Sequence, residues 1–316
     1  MSIKLGVVMD PISKIKIVKD STFAMLLEAQ SRGWEIHYIE QNDLSMLDGV
    51  PYAETRLLTV KDDINGWFTL QEPNNIPMQD LDVVLMRKDP PFDMEFVQTT
   101  YLLERAEQLG VLIVNKPQSL RDANEKMFTA WFPQCCPPTL ISRRYDQIKE
   151  FVAKHKKAVI KPLDSMGGHS IFKVSEGDDN LKVIMETVTQ EQGRFVMIQQ
   201  YIDEIVDGDK RILLIDGEPI PYVLARMPPP GDFRGNLAVG GTGVAREISD
   251  RDRWICEQVA PTLKEKDLIF VGLDVIGDYL TEVNVTSPTG IRELDKQFNL
   301  NISAKLMDAI EKRLAP

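Results

Sequence analysis

Histidine and cysteine are scarce, three of each in 316 residues, and their placement removes whole classes of chemistry. His37, His155 and His169 are scattered with no i,i+4 pair, which argues against a transition-metal centre or a histidine-based triad. Cys135 and Cys136 are adjacent and Cys256 stands alone, so no C-x-x-C pair exists, and this usage fits a reducing, cytoplasmic compartment. Any metal should therefore be held by oxygen. No stretch approaches the roughly eighteen uninterrupted apolar residues of a membrane span, and the opening MSIKLGVVMDP lacks the charged head and long apolar run of a signal peptide. It reads as a first strand. Positive charge is in deficit, 37 Lys and Arg against 48 Asp and Glu for a net −11, which does not suit a surface that neutralises many nucleic-acid phosphates. A polyanion would need local clusters of lysine and arginine.

The length suits two or three packed modules. In the first third, β-like runs at Ile3–Met9, Glu35–Ile39, Leu81–Met86 and Val111–Val114 alternate with helical stretches, the rhythm of an open α/β sheet. Asp20 or Ser21 caps one helix, in which Phe23, Leu26 and Leu27 share a face and Gly33 ends the run. A second helix is expected from Asp93 to Gln108. Asn115-Lys116-Pro117 breaks the pattern near residue 120. From Thr139 the sequence reads as strands with few helices (145–156 and 180–189), an α+β module. Pro228 to Gly243 is a proline- and glycine-rich loop too long for a hairpin turn, of the kind that is either a functional lid or disordered. The chain closes with strands Ile269–Ile276 and Tyr279–Val285 and a helix with Ile302, Leu306, Ile310 and Leu314 on one face.

Chemistry concentrates in four places. Glu282 and Asn284 are two apart on a strand and point to one face. Asp274 joins them only if the intervening loop has an odd residue count or the strand carries a bulge, because a plain two-residue hairpin pairs Asp274 with Thr281. Three convergent oxygens would suit Mg²⁺ on nucleotide phosphates; otherwise Glu282 is a solvated edge residue. Lys161 followed by Gly167-Gly168 reads either as an anion cradle with its lysine or as a plain hairpin turn. Gly208-Asp209-Lys210-Arg211 precedes a strand expected at Ile212–Ile215, and Arg226 and Arg234 bracket the long loop, where they would clamp a phosphoryl group or lie as surface charge. Met86 to Asp93, with Arg87, follows a sheet strand where open α/β sheets place ligands.

The order lysine, glycine turn, Asp-Lys-Arg strand, arginine-flanked loop, Asp and Glu-x-Asn resembles the ATP-grasp ligases. The segments MRKDPPFD (86–93), NKPQSLRDANEKMFTAWF (115–132), IKPLDSMGG (160–168), DGDKRILL (207–214), RGNLAVGG (234–241) and GLDVIGDYLTEVNVTSPTG (272–290) resemble the bacterial glutathione synthetase family over essentially the full length. The resemblance implies an N-terminal open α/β (pre-ATP-grasp) domain at 1–122, then a two-lobed α+β ATP-grasp module: a small lobe with a glycine flap at 123–203 and a large lobe at 204–316 with the metal site and a lid at 227–243. It implies ATP with two Mg²⁺ ions, Mn²⁺ able to substitute, γ-glutamylcysteine and glycine as substrates, and a homo-oligomer, tetrameric by family. Carried over by position, Lys126 and Lys161 contact the nucleotide's phosphates or its adenine side, and Ser165, Met166, Gly167 and Gly168 form a small flap over the phosphates. Gln199, Gln200, Tyr201 and Ile202 frame the adenine, and Asp209 lies by the ribose. Asp274, Glu282 and Asn284 hold metal; Arg211, Arg226, Arg234 and Asn236 face the reacting groups; Lys19, Ser21, Arg87, Ser287 and Thr289 take the peptide and glycine. Two positions depart from the pattern, Thr242 where an arginine is expected and Gly290 where some relatives carry a larger residue. Competing readings are another ATP-grasp ligase with a different acceptor and a non-catalytic nucleotide-binding scaffold.

Overall fold

A computed structural model of the chain describes residues 2–235 and 240–315, whose strands fall into three sheets. The first is built from β1 (Lys4–Val8), β2 (Glu35–Ile39), β3 (Leu44–Leu47), β4 (Val50–Val60), β5 (Phe68–Leu70), β6 (Asn74–Pro77), β7 (Val83–Met86) and β8 (Leu112–Val114). Strands β2, β1, β7 and β8 run parallel, and helices α1 (Ser21–Ser31) and α2 (Met94–Gln108) make crossovers. Asp20, one of the two expected caps, accepts from the Phe23 amide (2.7 Å), and Asp93, expected as the first residue of the second helix, instead caps it, accepting from the Phe96 amide (3.0 Å). The antiparallel extension β3–β6 was not expected from sequence. Its long strand β4 buries Pro51, Ala53 and Thr55 on alternate positions, so its inward face is too weakly apolar to show a period of two.

A short helix α3 (Pro117–Asp122) leads to the second sheet, ordered β11 (Phe172–Ser175), β10 (Lys157–Pro162), β12 (Val196–Gln200) and β9 (Thr139–Ser142), all antiparallel. Helices α4 (Tyr145–His155) and α5 (Leu181–Thr189) cover it. The third sheet runs β15 (Thr242–Glu247), β14 (Glu218–Met227), β13 (Asp209–Ile215), β16 (Phe270–Ile276) and β17 (Tyr279–Asn284). Helices α6 (Asp250–Glu265), α7 (Ile291–Phe298) and α8 (Ile302–Leu314) follow its strands, and α8 lies against α1.

The cores are unequal. Ile148, Val152, Ile160, Met185 and Ile198 form a cluster confined to the second sheet and its helices. By contrast, the first and third sheets share their apolar clusters: Leu5, Val7 and Leu85 pack in one with Leu213, Phe270 and Leu306, and Met86 and Phe96 pack in the other with Val271 and Val283. Asn115 stitches this joint. Its side chain accepts from the Phe270 amide (2.9 Å) and donates to the carbonyls of Phe270 (2.8 Å) and Val285 (2.7 Å).

Candidate active site

The central face of the third sheet carries a row of charges set by strand register. Asp209 and Arg211 are two apart on β13 and share a face. Arg226 on β14 stands opposite Asp209, and Asp274 on β16 stands opposite Arg211. The strand β13 begins at Asp209, three residues earlier than the sequence suggested, because polar residues are affordable on a face where each finds an ionic partner across the strand. Arg211 grips Asp274 with two hydrogen bonds, Nε to Oδ1 at 2.6 Å and Nη2 to Oδ2 at 3.1 Å. Arg226 Nη2 reaches Asp274 Oδ2 at 2.9 Å and Asp209 Oδ2 at 2.5 Å. Arg226 is thus a buried strand residue rather than a loop-edge charge. Gly272 leaves room for this packing, since a Cβ there would lie 2.9 Å from Arg211 Cδ and 2.8 Å from Pro288 Cβ.

Glu282 extends the row by way of a bulge. Gly277-Asp278 is a two-residue turn that pairs Ile276 with Tyr279 and Val275 with Leu280; the register then slips, so that Asp274 pairs with Glu282 and Gly272 with Asn284. The odd-loop alternative is not used. Thr281 is the extra residue, buried with its hydroxyl donating to the Asp274 carbonyl at 3.1 Å. Nothing in the local sequence marked it.

Burial opposes the charge on Asp274, yet Arg211 and Arg226 hold its carboxyl well below the usual range. Asp209 goes the other way: burial pushes it up to about 6 against the pull of Arg226. Burial also pushes Lys161 down, although Glu282 favours its charge. Asp209 Oδ1 is buried and has no hydrogen-bond partner among the described residues. Among the described residues Asp274 Oδ1 accepts a single hydrogen bond, which leaves a second lone pair. A hard cation fits this all-oxygen donor set of Asp274, Glu282 and Asn284.

Two clefts meet on this floor. One, of about 620 Å³, lies between the second and third sheets and is lined by Lys161, Gln199, Gln200, Tyr201, Ile202 and Asp209, with Asp274 and Glu282 at its polar end. Lys161 Nζ donates to Gln199 Oε1 at 2.9 Å. The other, of about 1620 Å³, opens toward the first sheet and is lined by Lys19, Lys126, Ser165, Met166, Gly167, Arg211, Arg226, Asn284, Ser287 and Thr289. Lys126 Nζ donates to the Ser165 carbonyl and lies 3.9 Å from Glu282 Oε1, joining flap to floor. Above, Arg234 Nη1 donates to the Gly168 carbonyl at 3.1 Å and pairs with Asp232. Gly235 pins this segment down: a Cβ there would stand 2.3 Å from the Arg226 carbonyl. Asn236 lies outside the described residues, as does the centre of the loop expected at 227–243. Thr242 opens β15 opposite Met227 and is exposed.

Ser21 and Arg87 line neither large cleft. They hold the 287–290 turn from behind: Ser21 Oγ accepts from the amides of Gly290 (3.1 Å) and Ile291 (3.2 Å), and Arg87 Nη2 donates to the Pro288 carbonyl at 3.0 Å. Gly290 sits at φ +120°, a conformation that favours glycine. Glu125 was missed by sequence reasoning. Its Oε1 accepts from the amides of Val285 (2.9 Å) and Thr286 (3.0 Å) and from the Thr286 hydroxyl (2.8 Å), clamping the exit of β17 beside Lys126. Its only local signal is adjacency to Lys126.

Residues 3–121 match the N-terminal domain of prokaryotic glutathione synthetase, and residues 125–299 match its ATP-grasp domain. A glutathione synthetase of Pseudomonas aeruginosa is 59% identical over 315 residues, covering 100% of this chain and 99% of its own. One from Escherichia coli K12 is 59% identical over 312 residues, covering 99% of each. Among solved structures, a D-cycloserine synthetase superposes with TM-score 0.67 at 14% identity over 99% of this chain and 100% of its own. A D-alanyl-alanine synthetase A from Vibrio cholerae gives 0.63 at 14% over 99% of this chain and 98% of its own. These last two share the fold. With both domains matched and near-end-to-end identity of 59%, the chain belongs to the prokaryotic glutathione synthetase family.

Proposed function

We propose that this ATP-dependent ligase joins γ-L-glutamyl-L-cysteine to glycine through an acylphosphate, releasing ADP and phosphate. The observation that carries the reading is the row Arg226, Asp209, Arg211 and Asp274, all buried, with Glu282 partly exposed at its end, which sets cations and hard oxygen donors on one floor between two clefts. Relatives called glutathione synthetase supply the substrate pair.

A carboxylate resists attack by an amine because its oxygen is a poor leaving group. Transfer of the ATP γ-phosphoryl group to the cysteinyl carboxylate gives it a good one, and glycine then displaces phosphate. Catalysis of such a step rests on positioning and on charge stabilisation. Lys126 and Lys161 would hold the phosphates, and Gln199 to Ile202 the base, with Asp209 beside the ribose. Mg²⁺ held by Asp274, Glu282 and Asn284 would offset charge on the phosphate oxygens. Arg211 and Arg226, fixed by Asp274 and Asp209, present guanidinium edges toward the larger cleft without reorganising as charge develops. Arg234 and Asn236 would face the reacting carboxylate and phosphoryl group, and the flap with 227–243 as the lid would exclude water from the acylphosphate. Lys19, Ser287 and Thr289 would bind the peptide and glycine, with Ser21 and Arg87 positioning their turn. The finer reading adds two metal ions, replaceable by Mn²⁺, a tetramer and a cytoplasmic site of action.

With ¹⁸O in the cysteinyl carboxylate, label should appear in inorganic phosphate only when ATP, Mg²⁺ and glycine are all supplied. Label in AMP, or none in phosphate while product forms, would overturn the acylphosphate. Failure to release ADP with this pair would point to a different acceptor.

A further inference from the structure

Beyond the charge row, the carboxylates lining the larger cleft among the described residues are Asp10, Asp20, Asp89, Glu125 and Glu293. Four are accounted for. Asp10 pairs with Lys88 at 2.9 Å and accepts from the Asp89 amide at 2.9 Å. Asp20 caps α1, and Asp89 accepts from Ser287 Oγ. Glu125 takes its donors from Val285 and Thr286. Glu293 differs: its Oε2 is buried and receives no hydrogen bond among the described residues. Burial raises its carboxyl most, its own backbone amide opposes that, and Lys19, Arg211 and Arg292 act on it through space. Arg211 is committed to Asp274 and Arg292 to Asp62, while Lys19 lines the same cleft.

A buried acceptor without a donor is costly unless a ligand supplies one. The α-amino-acid head of the dipeptide carries an ammonium beside a carboxylate, so it needs an acid and a base side by side. Glycine also carries an ammonium, but that group must lose its proton to attack, and a fixed carboxylate partner would hold the proton on. The ammonium that stays charged throughout the reaction is that of the γ-glutamyl head. We infer that Glu293 receives the α-ammonium of the γ-glutamyl head in the larger cleft, with Lys19 facing its α-carboxylate. This assignment rests on the ligase reading above and makes Glu293 a specificity-determining residue.

The test compares wild type and Glu293→Gln with γ-glutamylcysteine and with glutaryl-cysteine, which lacks only the α-ammonium. The substitution should raise KM for γ-glutamylcysteine roughly 10–100-fold, the loss expected for a hydrogen bond between charged groups, and leave KM for glycine and ATP unchanged. Wild type should discriminate between the two dipeptides, and Glu293→Gln should not. Glu293→Asp, which keeps the charge but retracts it by a methylene, should fall between them. Independently of turnover, γ-glutamylcysteine should raise the thermal midpoint of wild type and not of Glu293→Gln. A rise in KM for glycine alone, or an unchanged KM together with a lowered midpoint, would overturn the assignment. If wild type makes no ADP with this pair, the ligase reading fails and takes the assignment with it; if wild type is active and the variant matches it, only the assignment fails.

Discussion

The floor and the cover of the candidate active site are built on different foundations. The floor lies on the third sheet, whose apolar side shares clusters with the first sheet, so Asp274, Arg211 and Arg226 are backed by the larger core of the molecule. The cover comes from the second sheet, which has a small cluster of its own, and reaches the floor through few polar contacts: Lys126 to Ser165 and Arg234 to Gly168. Groups proposed to stay fixed relative to one another sit on paired strands, and groups proposed to admit substrate hang from a separately cored unit.

The sharpest way to break this comparison is Asp274→Asn. It leaves Arg211 and Arg226 buried beside a neutral amide, and the loss should be about 3–5 kcal/mol by urea unfolding, with activity abolished. Glu282→Gln, one strand over and with a side chain 18% exposed, should cut turnover roughly 100-fold or more, with a thermal midpoint within a few degrees of wild type. A full rate would remove Glu282 from the metal set.

Ile160→Ala tests whether the second sheet is a separate unit. It should cost about 2–5 kcal/mol locally, shifting an early unfolding transition while the one from the shared core stays in place. A single transition moving as a whole would merge the two regions. At the contact between the third sheet's loop and the cover, Arg234→Gln should slow turnover roughly 100-fold and change global stability by no more than about 0.5 kcal/mol, as for surface positions. A large stability loss would make Arg234 part of the floor.

The smallest effect is electrostatic. Asp209 has its carboxyl raised to about 6 by burial, so the folded state binds its proton more tightly than the unfolded chain does. Its contribution should therefore be present below the unfolded carboxyl value and be lost as pH rises toward 6. Stability curves of wild type and Asp209→Asn should diverge across that window, and parallel curves would contradict the sign.

Much of the local structure was legible because it depends on neighbours along the chain. The cap at Asp20, the face of α8 and the shared face of Glu282 and Asn284 follow from spacing alone. Resemblance of whole segments then identified the family. The charge row was not legible. Arg226 read as the edge of a loop, and its place opposite Asp209 depends on the register of two strands that no local pattern encodes.

The sequence by itself determined that any metal would have to be held by oxygen and that one face of β17 presents Glu282 and Asn284, because residue type and a period of two are local properties. Tertiary structure alone decided that Thr281 is bulged out so that Asp274 faces Glu282, that Ser21 and Arg87 work from behind the 287–290 turn, and that Glu125 clamps β17 across some 160 positions of chain. Each of these is a contact between segments remote in sequence, fixed by how apolar faces pack and by which buried polar atoms must find partners, and neither requirement is written in any short window of residues.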